Sequence, residues 1–141
     1  MKDRTVRRAS QFHRSLYQLT GGLLGTRLVN NDMLLLTTIG ARTGKRHIVP
    51  LLYLSEEGRY VVIASYGGRP QHPDWYTNLV ADPEVVVQIG GRRFAATART
   101  ADPVERAALW PRIVDAYRGY AEYQARTDRE VPVVYLDPVF R

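Results

Sequence analysis

The chain has 141 residues, 45% of them hydrophobic, which suffices for one domain with a real core and is too apolar for a disordered segment. Its net charge of +6 comes almost entirely from arginine (18 Arg against 2 Lys), so the partners it favours are anionic: an acidic small molecule, nucleic acid or an anionic membrane face. The absence of cysteine excludes a disulfide scaffold, thiol catalysis and a Cys-based metal site. The three histidines, His13, His47 and His72, show no ligand spacing, so no metal site is expected.

In chain order, residues 4–24 are predicted to form a helix, because Phe12, Leu16, Leu19 and Leu23 recur at spacings of three and four. Arg4, Arg7, Arg8 and Arg14 add charge, and Gly21, Gly22 and Gly25 end it. Such a segment either packs on the rest of the domain or lies on a membrane surface. Residues 1–28 are therefore set apart as an N-terminal amphipathic segment, with residues 29–141 as the main domain. No run of about 18 apolar residues is present, so no spanning helix is expected. With no secretory signal visible, the expected location is the cytoplasm, at the inner face of the membrane if the first segment binds lipid.

Three strands follow, at 33–39, 46–54 and 59–65, joined by turns at Gly40–Lys45 and Glu57-Gly58. Pro50 inside the second marks an edge position or a bulge, since proline cannot donate to a ladder. Residues 66–72 (YGGRPQH) fit neither strand nor helix. Pro73 to Ala81 reads as a short helix with Pro73 at its first position, stopped by Asp82-Pro83. Strands at 84–90 and 92–99 flank a Gly90-Gly91 hairpin turn of the primed kind. Asp102-Pro103-Val104-Glu105 is a capping-box start for a helix to about Tyr117, broken at Gly119. A helical piece at 120–126 and a last strand at 131–136 complete the chain. The sum is α+β: six mostly antiparallel strands in a small closed or half-open barrel with flanking helices, and no βαβ alternation.

Three groups could carry chemistry. The turn with Arg42, Thr43, Gly44, Lys45, Arg46 and His47 offers a hydroxyl, free amides and cations to a phosphate or carboxylate, though a basic turn can equally be a solvated surface. Ser65-Tyr66-Gly67-Gly68 followed by Trp75, Tyr76 and Asn78 could wall a flat heterocycle, with glycine amides bonding ring carbonyls; Trp75 and Tyr76 could instead be core anchors. Tyr117, Tyr120 and Tyr123 share one helix side and either pack or present phenols to a substrate oxygen. No Ser-His-Asp order and no paired carboxylates stand out. A redox enzyme with a bound organic cofactor would not need them.

In their order and spacing, TTIGARTGKRHIVPLLYL, YVVIASYGG, HPDWYTNLVADPEVVVQIGG and YAEYQARTDREVPVVYL resemble the deazaflavin (F420)-dependent nitroreductase family of split β-barrel oxidoreductases, over about residues 30–137. The resemblance implies a split barrel of the FMN-binding type that holds coenzyme F420 in a groove. It implies hydride transfer from reduced F420 to a quinone-like, nitro or other activated conjugated acceptor. Arg42, Thr43 and Gly44 match the turn that holds the cofactor's phosphate and polyglutamate tail, with Lys45 beside them. His47, Val49 and Pro50 match cofactor-contacting positions on the second strand. Ser65, Tyr66, Gly67 and Gly68 match the loop near the ring, and Trp75, Tyr76 and Asn78 match the WYxNL signature. Tyr117, Tyr120 and Tyr123 match tyrosines on the substrate side, where Tyr120 or Tyr123 would protonate or orient the acceptor. Tyr66, His47 and Val49 stand where the nitroreductase type member has lysine, arginine and asparagine, which favours quinone-like acceptors over nitroimidazoles. Other readings are a non-catalytic F420 or FMN carrier on the same barrel and FMN in place of F420. A homodimer is left open, and nothing beyond charge points to nucleic acid.

Overall fold

The computed structural model describes residues 33–140. Seven strands form one antiparallel sheet: β1 (Met33–Ile39), β2 (Arg46–Leu52), β3 (Leu54–Glu56), β4 (Arg59–Ile63), β5 (Glu84–Ile89), β6 (Arg92–Thr100) and β7 (Val133–Pro138). Their order across the sheet is β2-β1-β5-β6-β7-β4-β3. Among the described residues three helices accompany them: α1 (Asp74–Ala81), α2 (Pro103–Ala116) and α3 (Gly119–Ala125).

The order dictates the shape. β2 and β3 sit at opposite rims of the sheet, yet Tyr53 is the single residue between them. One residue spans about 3.5 Å, so the two rims must curl to meet. The result is a half-barrel. Alternation of side chains along each strand then divides the apolar residues between two faces. Leu34, Leu36, Val62, Ala64, Val85, Val87, Ala96, Ala98, Val134 and Leu136 fill one core with Trp75 and Leu79 of α1. The intervening residues Val61, Ile63, Val133 and Tyr135 face the other way, onto Leu109 and Ile113 of α2 and Tyr120 of α3. Each fully buried Leu, Ile or Val contributes about 1.5–3 kcal/mol. Leu36, with no exposed surface, should cost about 2–5 kcal/mol if cut to Ala.

Most of the expected elements are present, with local starts and stops as the sequence implies. Asp102 accepts from the Glu105 N–H at 2.8 Å, and Glu105 accepts from the Asp102 N–H at 2.9 Å, completing the capping box. Ile89 and Arg92 pair across Gly90-Gly91, and Gly90 has φ 59°, as the first central residue of a type II′ turn requires. Pro50 lies in rim strand β2, opposite Leu35.

Two expectations need correction. Among the described residues the strand count is seven, not six, because the expected 46–54 run is two strands. Residues 46–52 pair with β1, the chain changes rim at Tyr53, and 54–56 pair with β4. Residues 66–72 are not wholly irregular: Tyr66–Gly68 form one tight turn, closed by Gly68 N–H to Ser65 O at 2.9 Å and Arg69 N–H to Tyr66 O at 3.3 Å. The expected helix at 4–24, and with it the division at 28/29, lies outside the described residues. No helix among the described residues is long and apolar enough to cross a membrane.

Candidate functional site

A cleft of about 880 Å³ opens between β2, the Tyr66–Gly68 turn, the start of α1 and the α2–α3 corner. All of β2 from His47 to Leu52 lines it, with Met33 and Ile63 beneath. Being a rim strand, β2 can give residues from both its faces to one groove.

The loop between β1 and β2 is tightly built. Gly40 N–H donates to Lys45 O at 2.7 Å, Gly44 N–H to Gly40 O at 2.9 Å, and Lys45 N–H to Thr43 Oγ1 at 3.2 Å. A Cβ on Gly40 would lie 2.7 Å from both His47 Nε2 and Thr43 Oγ1, so a larger residue there would displace these two exposed side chains. Buried Asn78 of α1 anchors the loop: its Oδ1 accepts from Ala41 N–H at 3.0 Å, and its Nδ2 donates to buried Thr38 Oγ1 at 3.2 Å. Arg42, Thr43, Gly44 and Lys45 are exposed on this loop and lie outside the cleft lining.

Across the cleft, Ser65, Tyr66 and Gly67 form part of the wall. The backbone there is left-handed, with φ 49° at Tyr66, 65° at Gly67 and 79° at Gly68. Gly68 packs under α3, where a Cβ would come within 2.7 Å of Tyr123 O. Trp75 and Asn78 line the cleft, whereas Tyr76 is not among its lining residues. The Tyr76 hydroxyl pairs with Thr100 Oγ1 at 3.0 Å, and its ring lies 4.8 Å from that of His72.

Tyr117, Tyr120 and Tyr123 all line the cleft, their rings in successive edge-to-face contacts with centroids 6.0 Å apart. Burial, with the neighbouring phenols of Tyr117 and Tyr123, pushes the Tyr120 hydroxyl well above the ordinary tyrosine range. It stays protonated at any working pH and can act as a donor. A glycine-bearing turn, a rim strand and three phenols around one apolar-walled groove suit a flat conjugated ligand with a reducible partner against it.

Residues 9–138 match the family described as F420H(2)-dependent quinone reductase. The chain belongs to that family. This F420-dependent reductase is 38% identical over 131 residues to an F420H(2)-dependent quinone reductase of Mycobacterium tuberculosis strain H37Rv, covering 89% of this chain and 87% of the relative. Among solved structures it resembles an F420-H2 dependent reductase (FDR-A) at 45% identity and TM-score 0.69, covering 75% of this chain and 94% of that one. A second solved relative, described as a domain-swapped dimer, is 42% identical at TM-score 0.72, covering 94% of this chain and 96% of that one.

Cleft residues of the reductase that sequence reasoning did not single out include Met33, Ile48, Asp74, Arg118 and Gly119. Arg118 is exposed and sits next to Tyr117 at the tyrosine end. Arg129 was also missed. It lies outside the lining but binds the turn from behind: Nη2 donates to Ser65 O at 2.8 Å, Nε to Arg69 O at 2.9 Å and Nη1 to Ala64 O at 3.2 Å. Nη1 also lies 3.0 Å from His72 Nδ1. Partial burial and the Arg129 charge lower the His72 pKa, which favours the neutral ring that can accept this bond. None of these signals is local in sequence, apart from the charge of Arg118 beside the first tyrosine.

Proposed function

We propose that this reductase acts on quinone-like and other activated conjugated acceptors in the cleft between β2 and the tyrosine helix. The observation that carries the reading is the convergence of three separate chain segments, 47–52, 65–67 and 117–123, on one groove. At about 880 Å³ it has room for a tricyclic ring and an acceptor laid against it. When bound, F420 supplies the hydride.

The chain's own groups do the rest. Arg42 and Lys45, with Thr43 and Gly44, hold the acidic tail of the cofactor from an exposed, pre-shaped loop. His47, Val49 and Pro50 form the wall along the ring. Ser65, Tyr66 and Gly67 would face it from across the cleft, with Gly68 completing their turn, Trp75 in the lining and Asn78 and Tyr76 supporting. Converting a quinone to its hydroquinone takes one hydride and one proton. The phenol of Tyr120 or Tyr123 donates or orients that proton, and Tyr117 borders the acceptor.

The test is steady-state oxidation of reduced F420 by a soluble naphthoquinone, run beside a nitroaromatic acceptor and beside FMN in place of F420. Turnover with F420 and the quinone is expected, and F420 affinity should fall as salt rises because the tail is held by exposed cations. F420 bound without turnover by any acceptor would leave a carrier instead. For the N-terminal segment, packing on the domain and contact with the inner face of the membrane are the two readings. Flotation with anionic liposomes, with and without residues 1–28, decides between them. Dimer formation by this chain is tested by light scattering.

A further inference from the structure

Tyr66 is not a glycine, yet its φ is 49°. A tyrosine in the left-handed region is strained and persists where the surroundings over-determine the backbone. The turn's own bonds are two, and that from Arg69 N–H to Tyr66 O is long at 3.3 Å. The guanidinium of Arg129 adds three more, to the carbonyls of Ala64, Ser65 and Arg69, and a contact with His72 Nδ1. Its own backbone is fixed in turn: Gln124 Nε2 donates to Arg129 O at 2.8 Å, and Arg129 N–H donates to Thr127 Oγ1 at 3.3 Å. No carboxylate pairs with Arg129 among the described residues, so its charge is offset by carbonyl dipoles and the His72 ring nitrogen.

Ser65 and Tyr66, both in the cleft lining, have right-handed helical dihedrals (φ −74°, ψ −35°) and a left-handed φ respectively. That succession turns neighbouring N–H groups toward a common point and makes a nest for negative charge. Among the described residues neither the Tyr66 nor the Gly67 N–H has a partner. Resting on the reading of this cleft as the deazaflavin site, we propose that Arg129 is a positioning residue: by gathering the Ala64, Ser65 and Arg69 carbonyls behind the turn, it keeps the Tyr66 and Gly67 N–H groups aimed at an electron-rich edge of the bound ring. Lysine cannot replace it, because an ammonium lacks the planar fork that reaches several carbonyls at once.

The test uses Arg129→Lys in the full chain, with His72→Phe as a milder second variant that removes one acceptor and leaves a ring against Tyr76. Hydrogen exchange of the ligand-free protein is measured on peptides from residues 64–72 and on peptides from β1 and β5. In Arg129→Lys the 64–72 amides should exchange about tenfold faster with the sheet unchanged, and in His72→Phe by a smaller factor. In turnover, the F420 KM of Arg129→Lys should rise about tenfold while the acceptor KM stays within about twofold. Unchanged exchange at 64–72 in both variants overturns the proposal. So does a rise shared equally by β1 and β5, which marks Arg129 as a general stabiliser. If Arg129→Lys does not fold, His72→Phe decides on the same readout. Failure of the wild-type chain to bind F420 would instead sink the functional reading, and the exchange result would still decide what Arg129 does to the turn.

Discussion

Replacing Asn78 by Ala separates two roles for the WYxNL helix. In the structure the amide is spent on protein: one end on Ala41 N–H at 3.0 Å, the other on Thr38 Oγ1 at 3.2 Å. Ala41 is exposed, so its N–H can turn to water and the loss there is about 1 kcal/mol. Thr38 has no exposed surface, so a hydroxyl left without its partner costs about 1–3 kcal/mol. The sum is about 2–4 kcal/mol, or a Tm lower by roughly 10 °C for a domain of this size. The Arg42–Lys45 loop keeps its internal bonds but loses its tie to α1, so F420 affinity should weaken by about tenfold with kcat little changed. Urea unfolding and a fluorescence titration with F420 measure both. A variant with native stability and a lost kcat would show that Asn78 serves the reacting centre directly, and the scaffold argument would fail.

If Tyr120 is the proposed proton donor, Tyr120→Phe should lower kcat by about 10²-fold while F420 affinity stays within about twofold, since the ring keeps its packing and only the hydroxyl is lost; equal losses in both would point to packing. Arg118→Gln should lower kcat/KM for a sulfonated naphthoquinone about fivefold and leave a neutral one unchanged, because an exposed guanidinium at the tyrosine end favours anionic acceptors; parallel losses would refute this. The fork from Arg99, at 2.7 and 2.8 Å, together with the Asp102 N–H, holds Glu105 at about 2 against an ordinary 4.5. The folded state therefore binds fewer protons than the unfolded one between these values, and the stabilisation is complete above 4.5 and lost as pH falls toward 2. Wild type should exceed Glu105→Gln in stability at neutral pH, and the gap should close over that acid window in denaturation curves; a constant gap would contradict the assignment.

What the sequence disclosed was local. The Asp102–Glu105 cap, the Gly90-Gly91 turn and the rim position of Pro50 each follow from a few neighbouring residues whose backbone preferences agree. Residues 46–54 misled because their apolar pattern is continuous, while partner choice at Tyr53 depends on how a whole sheet curls. The tyrosines and the Ser65–Gly68 turn could be singled out by residue type. Their meeting with β2 in one cleft was legible through family resemblance alone. Arg129 was invisible for the same reason as the break at Tyr53. It reaches carbonyls and a histidine some sixty positions away, and nothing about a single arginine in a polar loop distinguishes it from its neighbours.

The left-handed tyrosine has a consequence for how this protein can be improved or worn down. Tyr66→Gly would relax the backbone, since glycine occupies that region freely. It would also strip an aromatic side chain from the wall of the cleft. Selection for sturdiness alone would push this position toward glycine, and selection for discrimination among acceptors would hold it at tyrosine, so thermostable laboratory variants at residue 66 should be the least selective ones.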